Sequence, residues 1–208
     1  MARGSVRKRL ALMASLVVAL APAGASGRDL PIDPFHQEWI GKHLRAMHEP
    51  MLQDIDASGS VEIYRYLALP SFTHPISIRV VIGPSGEAMA TVRTSTGLGG
   101  YGAGTLSGDH AVRVSPEDVA ALRSDLGENF RALSADEQSD ELDDEGKPIV
   151  HVICSDGTAS AFEAVRAGTY HLVFRGCSME KQLFRAAETF KHIARPYLPA
   201  NVDEYVPF

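Results

Sequence analysis

Cysteine and tryptophan are scarce here: two and one in 208 residues. Two cysteines exclude a disulfide-dense scaffold and a four-cysteine zinc site. Basic residues are outnumbered, 20 against 26 acidic. The few aromatics are not interleaved with them, which speaks against a nucleic-acid module. The main N-terminal apolar run, 10–21, is only 12 residues, short for a hydrocarbon core of ~30 Å. No G-x-S-x-G elbow occurs, since Gly83-Pro84-Ser85-Gly86-Glu87 fails at its last position. What remains, 45% hydrophobic and 22% charged, is the composition of one globular domain with chain enough for its own core.

Arg3, Arg7, Lys8 and Arg9 precede the apolar run, and Pro22 with Ala23-Gly24-Ala25 follows it. A basic segment, a short apolar segment and small residues predict a Sec-type signal peptide over 1–25, cut after Ala25. The expected product is periplasmic or secreted, with no stable membrane insertion after cleavage. Without the four basic residues of that segment the chain carries 16 basic and 26 acidic groups, a formal charge of −10. Such a charge favours solubility and repels anionic lipid and nucleic acid.

Residues 26–60 read as an N-terminal helical segment. Asp33-Pro34 is a helix start, and Phe35, Trp39, Ile40, Leu44, Met47 and Met51 form one stripe ending near Pro50. Residues 61–208 read as an α+β domain. Its period changes to two over Val61–Leu69, Ile76–Ile82 and Ala88–Thr96, with a turn at Gly83–Gly86. A glycine-rich loop from Gly97 to Gly108 leads to a short strand, His110–Val114. Ser115 then caps a helix with Asp118 three residues on. The stretch from Ser134 to Lys147 holds seven acids and one leucine and reads as a solvated loop. Strands at Ile149–Cys154, Ala159–Arg166 and Thr169–Arg175 follow, joined by tight turns. A last helix runs from Ser178 to Leu198. Short connections favour an antiparallel meandering sheet with helices packed on one face, plus the N-terminal helix.

In an exported chain Cys154 and Cys177 are expected to pair as a disulfide. The alternative is a nucleophilic Cys154 with His151 or His171 as base. Asp54, Asp56 and Ser58, with Gly59 next, resemble the first half of an EF-hand loop and make calcium the one cofactor to consider. The twelfth position should be a bidentate glutamate and is Arg65. Gly97-Leu98-Gly99-Gly100-Tyr101-Gly102 matches a dinucleotide fingerprint by letter, but a strand follows where a helix N-terminus is needed. His36, His43 and His48 are seven and five apart and share no metal-binding helix face.

The polar set with most chemical potential is Glu163, Tyr170, His171 and Arg175 on the last hairpin. Alternation puts His171, Val173 and Arg175 on one face and Tyr170, Leu172 and Phe174 on the other. The set is a candidate ligand site, with Glu163 and His171 as an acid–base pair if the protein is a hydrolase. A structural ion pair beside a packed tyrosine is the plainer reading.

Asp156-Gly157, Glu163-Ala164-Val165, Gly168-Thr169-Tyr170-His171 and Arg175 together resemble a family of small exported bacterial proteins without an assigned activity. Their pattern is D-G…E-x-V-x-x-G-x-Y-H…R. Ser71–Ile76 and Gly99-Gly100-Tyr101 are similar to that family as well. The resemblance spans about Val61 to Tyr197 and implies the fold region and export, but no reaction. Tryptophans frequent in the family are replaced here by Ser160 and Gly176. The sequence thus points first to a non-catalytic binding or inhibitory module, whose partner is an envelope protein or a small molecule. A hydrolase and a calcium-dependent binding protein are the alternatives.

Overall fold

The computed structural model describes residues 32, 34–55, 60–136, 157–176, 179–200 and 202. The 1–25 segment, the strand expected at Ile149–Cys154, both cysteines and Ser178 lie outside them. Six strands form one antiparallel sheet: β1 (Glu62–Pro70), β2 (Ile76–Ile82), β3 (Ala88–Ser95), β4 (Leu106–Arg113), β5 (Thr158–Arg166) and β6 (Thr169–Arg175). Their order is β4-β3-β2-β1-β5-β6. The meander holds through β4, but the next described strand pairs with β1 at the opposite side of the sheet. The helix α2 (Pro116–Asp125) and the single turn α3 (Glu128–Arg131) intervene before β5. No helix among the described residues is long and apolar enough to cross a membrane.

The two faces differ in chemistry. On one, α2 and α4 (Lys181–Ala194) bury Leu122, Leu183 and Phe190 against Tyr64, Tyr66 and Phe162. Tyr66 stacks between Phe162 and Phe190 at centroid distances of 4.9 and 5.8 Å. Burial with no full partner pushes the Tyr66 phenol far up, so it stays neutral. On the other face, α1 (Pro34–Ala46) and the turn after it set Ile40, Leu44 and Met47 on Leu67, Leu69, Ala161 and Phe174. The helices expected on one face are therefore joined by α1 on the reverse side. β1 lies between both layers, and eight of its nine residues are buried.

Local chemistry explains the boundaries. Ser115 caps α2 by accepting the Asp118 N–H at 3.1 Å, and its hydroxyl donates to the Asp118 carboxylate at 2.8 Å. α4 begins at Lys181, later than expected, and ends at Ala194 because Pro196 has no amide to continue it. α1 stops at Ala46, before Pro50. The His48 N–H donates to the Arg45 carbonyl and the Glu49 N–H to the Leu44 carbonyl, a Schellman closure. His48 takes the left-handed position at φ 55°, which glycine usually fills, and the turn directs Glu49 inward. β4 starts at Leu106, earlier than the spacing predicts, because Gly108 joins the ladder opposite Thr94 beside a register shift.

The glycine loop is a tight connection. A Cβ on Gly99 would fall 2.3 Å from the Leu69 carbonyl carbon, so only glycine allows this approach to the end of β1. Beneath the loop lies His43, fully buried between α1 and the sheet. Burial, helped by the Lys42 charge, pulls its pKa from 6.5 down to about 4. A Gly99 backbone group opposes the shift, yet neither ring nitrogen has a well-formed hydrogen bond.

The folded pKa lies below the unfolded one, so the neutral ring contributes stability above pH 6.5 that is lost as pH falls towards 4. Urea unfolding of wild type and His43→Leu across that window should show this slope in wild type only. A constant difference between the two curves would remove the histidine from the acid response.

Candidate functional site

The α1 face of the sheet carries an arginine where its neighbours are apolar. Arg65, in the middle of β1, stands opposite Arg79 on β2 and Glu163 on β5. Like charges directly across a ladder repel, so the arrangement needs anions on the same face. Glu163 and Glu49 supply them, both buried. Arg65 Nε donates to Glu163 Oε2 at 2.5 Å, and Nη1 donates to the Pro50 carbonyl at 2.6 Å. Glu49 then draws three guanidiniums together. Arg65 Nη1 is 3.4 Å away, Arg79 Nε 2.8 Å and Arg93 Nη1 3.3 Å. Arg93 also donates to the His48 carbonyl at 2.6 Å and forms a fork with Asp109 at 3.1 and 3.2 Å. Burial alone would lower the Arg65 pKa, but the Glu163 charge and hydrogen bond with the Glu49 charge raise it, so the side chain stays a cation.

The other Glu163 oxygen, Oε1, accepts the Tyr170 hydroxyl at 2.9 Å. Tyr170 lies opposite Val165, diagonal to Glu163 on the same face. Burial, reinforced by the Glu163 charge and hydrogen bond, drives its pKa well above the usual phenol range. This pair forms part of the wall of a cleft of about 230 Å³ between α1, the turn after it and β6. Ile40, Met51 and Leu172 give the cleft its apolar surface, while Gln37 and Gln53 add amides.

The four hairpin candidates therefore separate. Glu163 faces Leu172 across the ladder and shares its face with Tyr170, as alternation predicts. His171 borders the cleft, but it stands opposite Ala164, a core residue of the α2–α4 face. Its ring meets Phe130 edge-on at 4.9 Å. The expected pairing of Glu163 with His171 is thus not formed, because the residues project to opposite sides of the sheet. Arg175 is buried and structural. It binds the Glu180 carboxylate at 2.6 Å and the Phe174 and Ser134 carbonyls at 2.7 and 3.2 Å, tying the start of α4 to the sheet edge.

Of the calcium candidates, Asp54 sits exposed on a short 3-10 turn, while Asp56 and Ser58 are outside the described residues. Among the described residues no three His, Cys, Asp or Glu side chains converge as metal ligands. Arg65, the residue at the loop's twelfth position, is the centre of the buried network. Cys154 and Cys177, as a pair or with Cys154 as nucleophile, are outside the described residues as well.

Sequence reasoning missed Arg65, Glu49, Arg79 and Arg93. A charged residue in the centre of the apolar run EIYRYLALP was the available signal. Phe35, the first residue of the expected apolar stripe, is 65% exposed. Phe35 stacks on Trp39 at 5.7 Å, and Lys42 Nζ lies 3.1 Å from the Trp39 ring centre. Lys42 also donates to the Tyr101 carbonyl at 3.1 Å, and Tyr101 touches Phe72 at 5.9 Å. An exposed aromatic ridge thus runs from α1 to the glycine loop.

Glu163→Gln leaves Arg65 short of its main counter-charge and should cost about 3–5 kcal/mol. The double substitution Arg65→Met with Glu163→Leu removes both charges and should cost clearly less than its single changes combined. Urea unfolding of wild type, Arg65→Met, Glu163→Leu and the double variant measures the coupling, and additive costs within ~0.5 kcal/mol would contradict it.

Comparison with protein-family models and with curated proteins found no match, so the functional reading rests on this geometry.

Proposed function

We propose that this chain is an exported, non-catalytic binding module that holds a compact, largely apolar ligand bearing a hydrogen-bond donor in the cleft between α1 and β6. The observation that carries the reading is a mostly apolar cleft with the Glu163–Tyr170 pair in its wall. Ligand sites usually combine apolar walls with a few fixed polar groups. The volume, about 230 Å³, is below the usual ~300–1,000 Å³ and favours a compact ligand.

The polar groups of the cleft are committed in ways that suit binding better than turnover. Arg65 binds Oε2 of Glu163, and Oε1, which already accepts the Tyr170 hydroxyl, keeps a lone pair for a donor from a ligand. A general acid–base pair needs both groups within reach of one substrate, and the sheet separates Glu163 from the His171 ring. That weighs against the hydrolase reading. A calcium-dependent role through Asp54, Asp56 and Ser58 lacks its bidentate acid, since Arg65 takes that position. The basic, apolar and small-residue pattern of 1–25 supports export, and the resemblance at the last hairpin agrees with it.

The aromatic ridge favours a second reading, in which the partner is an envelope protein docking on Phe35, Trp39, Tyr101 and Phe72. Exposed aromatic clusters commonly anchor protein interfaces.

A screen of compact amines, amides and alcohols by two-dimensional NMR distinguishes the two. Binders should perturb Ile40, Met51 and Leu172, and Leu172→Trp, which fills the cleft, should weaken them at least tenfold while the fold is retained. Perturbations confined to the ridge, or no binder at all, would sink the cleft reading.

A further inference from the structure

The two edges of the sheet are treated differently. At the β6 edge, the Phe174 N–H donates to the Ala135 carbonyl at 2.8 Å, so the chain itself occupies part of the ladder. At the β4 edge no strand follows among the described residues. β4 is eight residues long, contains no proline, and none of its residues is buried. An edge of this kind presents unpaired N–H and C=O groups that template another strand.

The direction of those groups follows from the register. Val114 N–H donates to the Ala88 carbonyl at 3.0 Å, so residues 114, 112 and 110 exchange hydrogen bonds with β3. Asp109, Ala111 and Arg113 alternate with them and turn their backbone groups outwards. Their side chains share one face of the sheet. There Asp109 is half-exposed beside Arg93, while Arg113 is exposed with no partner among the described residues.

Charges on an edge strand usually keep other strands away, and like charges do this best. Asp109 and Arg113 are opposite in sign and four residues apart, with alanine midway. Antiparallel self-pairing centred on Ala111 sets Asp109 of each strand against Arg113 of the other. It also brings together two small side chains at the axis. The Asp109 carboxylate, already bound by Arg93, has lone pairs enough for a second guanidinium.

We propose that β4 is a self-association edge through which two copies of this chain pair antiparallel about a two-fold axis at Ala111, joining two six-stranded sheets into one. Three outward pairs, 109 with 113, 111 with 111 and 113 with 109, each exchange two bonds and give roughly six inter-chain hydrogen bonds. The contact is isologous and closed, so it yields a dimer and not a fibre. It leaves the cleft between α1 and β6 open, and so stands whether or not that cleft binds a ligand.

Analytical ultracentrifugation of the chain from micromolar to millimolar concentration, at low and moderate salt, tests the proposal. The expected result is a monomer–dimer equilibrium weakened at least tenfold by Ala111→Pro, which removes an outward N–H, and likewise by Arg113→Asp. Asp109→Arg combined with Arg113→Asp restores opposite charges and should recover the dimer, although either change alone opposes like to like. Circular dichroism establishes that each variant is folded; if Ala111→Pro is not, the charge-swap series decides alone. A monomer at every concentration overturns the proposal, as does a dimer indifferent to these variants.

Discussion

A cation held in the dry interior constrains much of this structure. Arg65 occupies the centre of the strand buried on both faces, and a guanidinium there is tolerable only if anions reach it. One comes from β5, a strand 98 residues away, and the other from the turn after α1. Satisfying the arginine therefore fixes which strand lies beside β1 and where α1 ends. The remaining contacts on that face, Ile40 and Leu44 on Leu67 and Ala161 among them, fill the space this geometry leaves.

The opposite face works by different physics. Its core is a continuous apolar layer under α2 and α4, where stability comes from buried area and packing density. The α1 face depends on direction, since a guanidinium displaced by an ångström loses its partners. Non-directional apolar packing on one side is thus set against directional charge pairing on the other. The candidate cleft lies at the border of the directional layer, where polar groups are already fixed before any ligand arrives.

Much of the sheet was legible in the sequence because alternation and turn chemistry are local signals. Ile76–Ile82 and Thr169–Arg175 are found where period two places them, and Ser115 caps its helix as spacing implied. The separation of Tyr170 from His171 was equally readable. The position of Glu163 relative to them was recoverable too, since a two-residue turn at Ala167-Gly168 sets Glu163 opposite Leu172. The buried network was not readable in this way. Arg65, Glu49 and Arg93 are joined only by the fold, and Arg65 entered the sequence argument merely as a missing calcium ligand. Phe35 shows a related limit: helical spacing marks a stripe, but not how far the opposing layer extends to cover it.

The hairpin between β5 and β6 carries a consequence for how such a chain can change over time. Ala167 and Gly168 both have positive φ, at 51° and 72°, and the loop has no slack. The wall facing the cleft is consequently decided by the parity of that loop. Substitutions along β6 alter one contact at a time. An insertion or deletion of one residue with strand pairing retained would exchange Tyr170, Leu172 and Phe174 for their neighbours in a single step. Glu163 would then lose its tyrosine and the apolar core would receive it. Length variation at this turn therefore changes the whole wall of the cleft at once, whereas a substitution along β6 changes one contact.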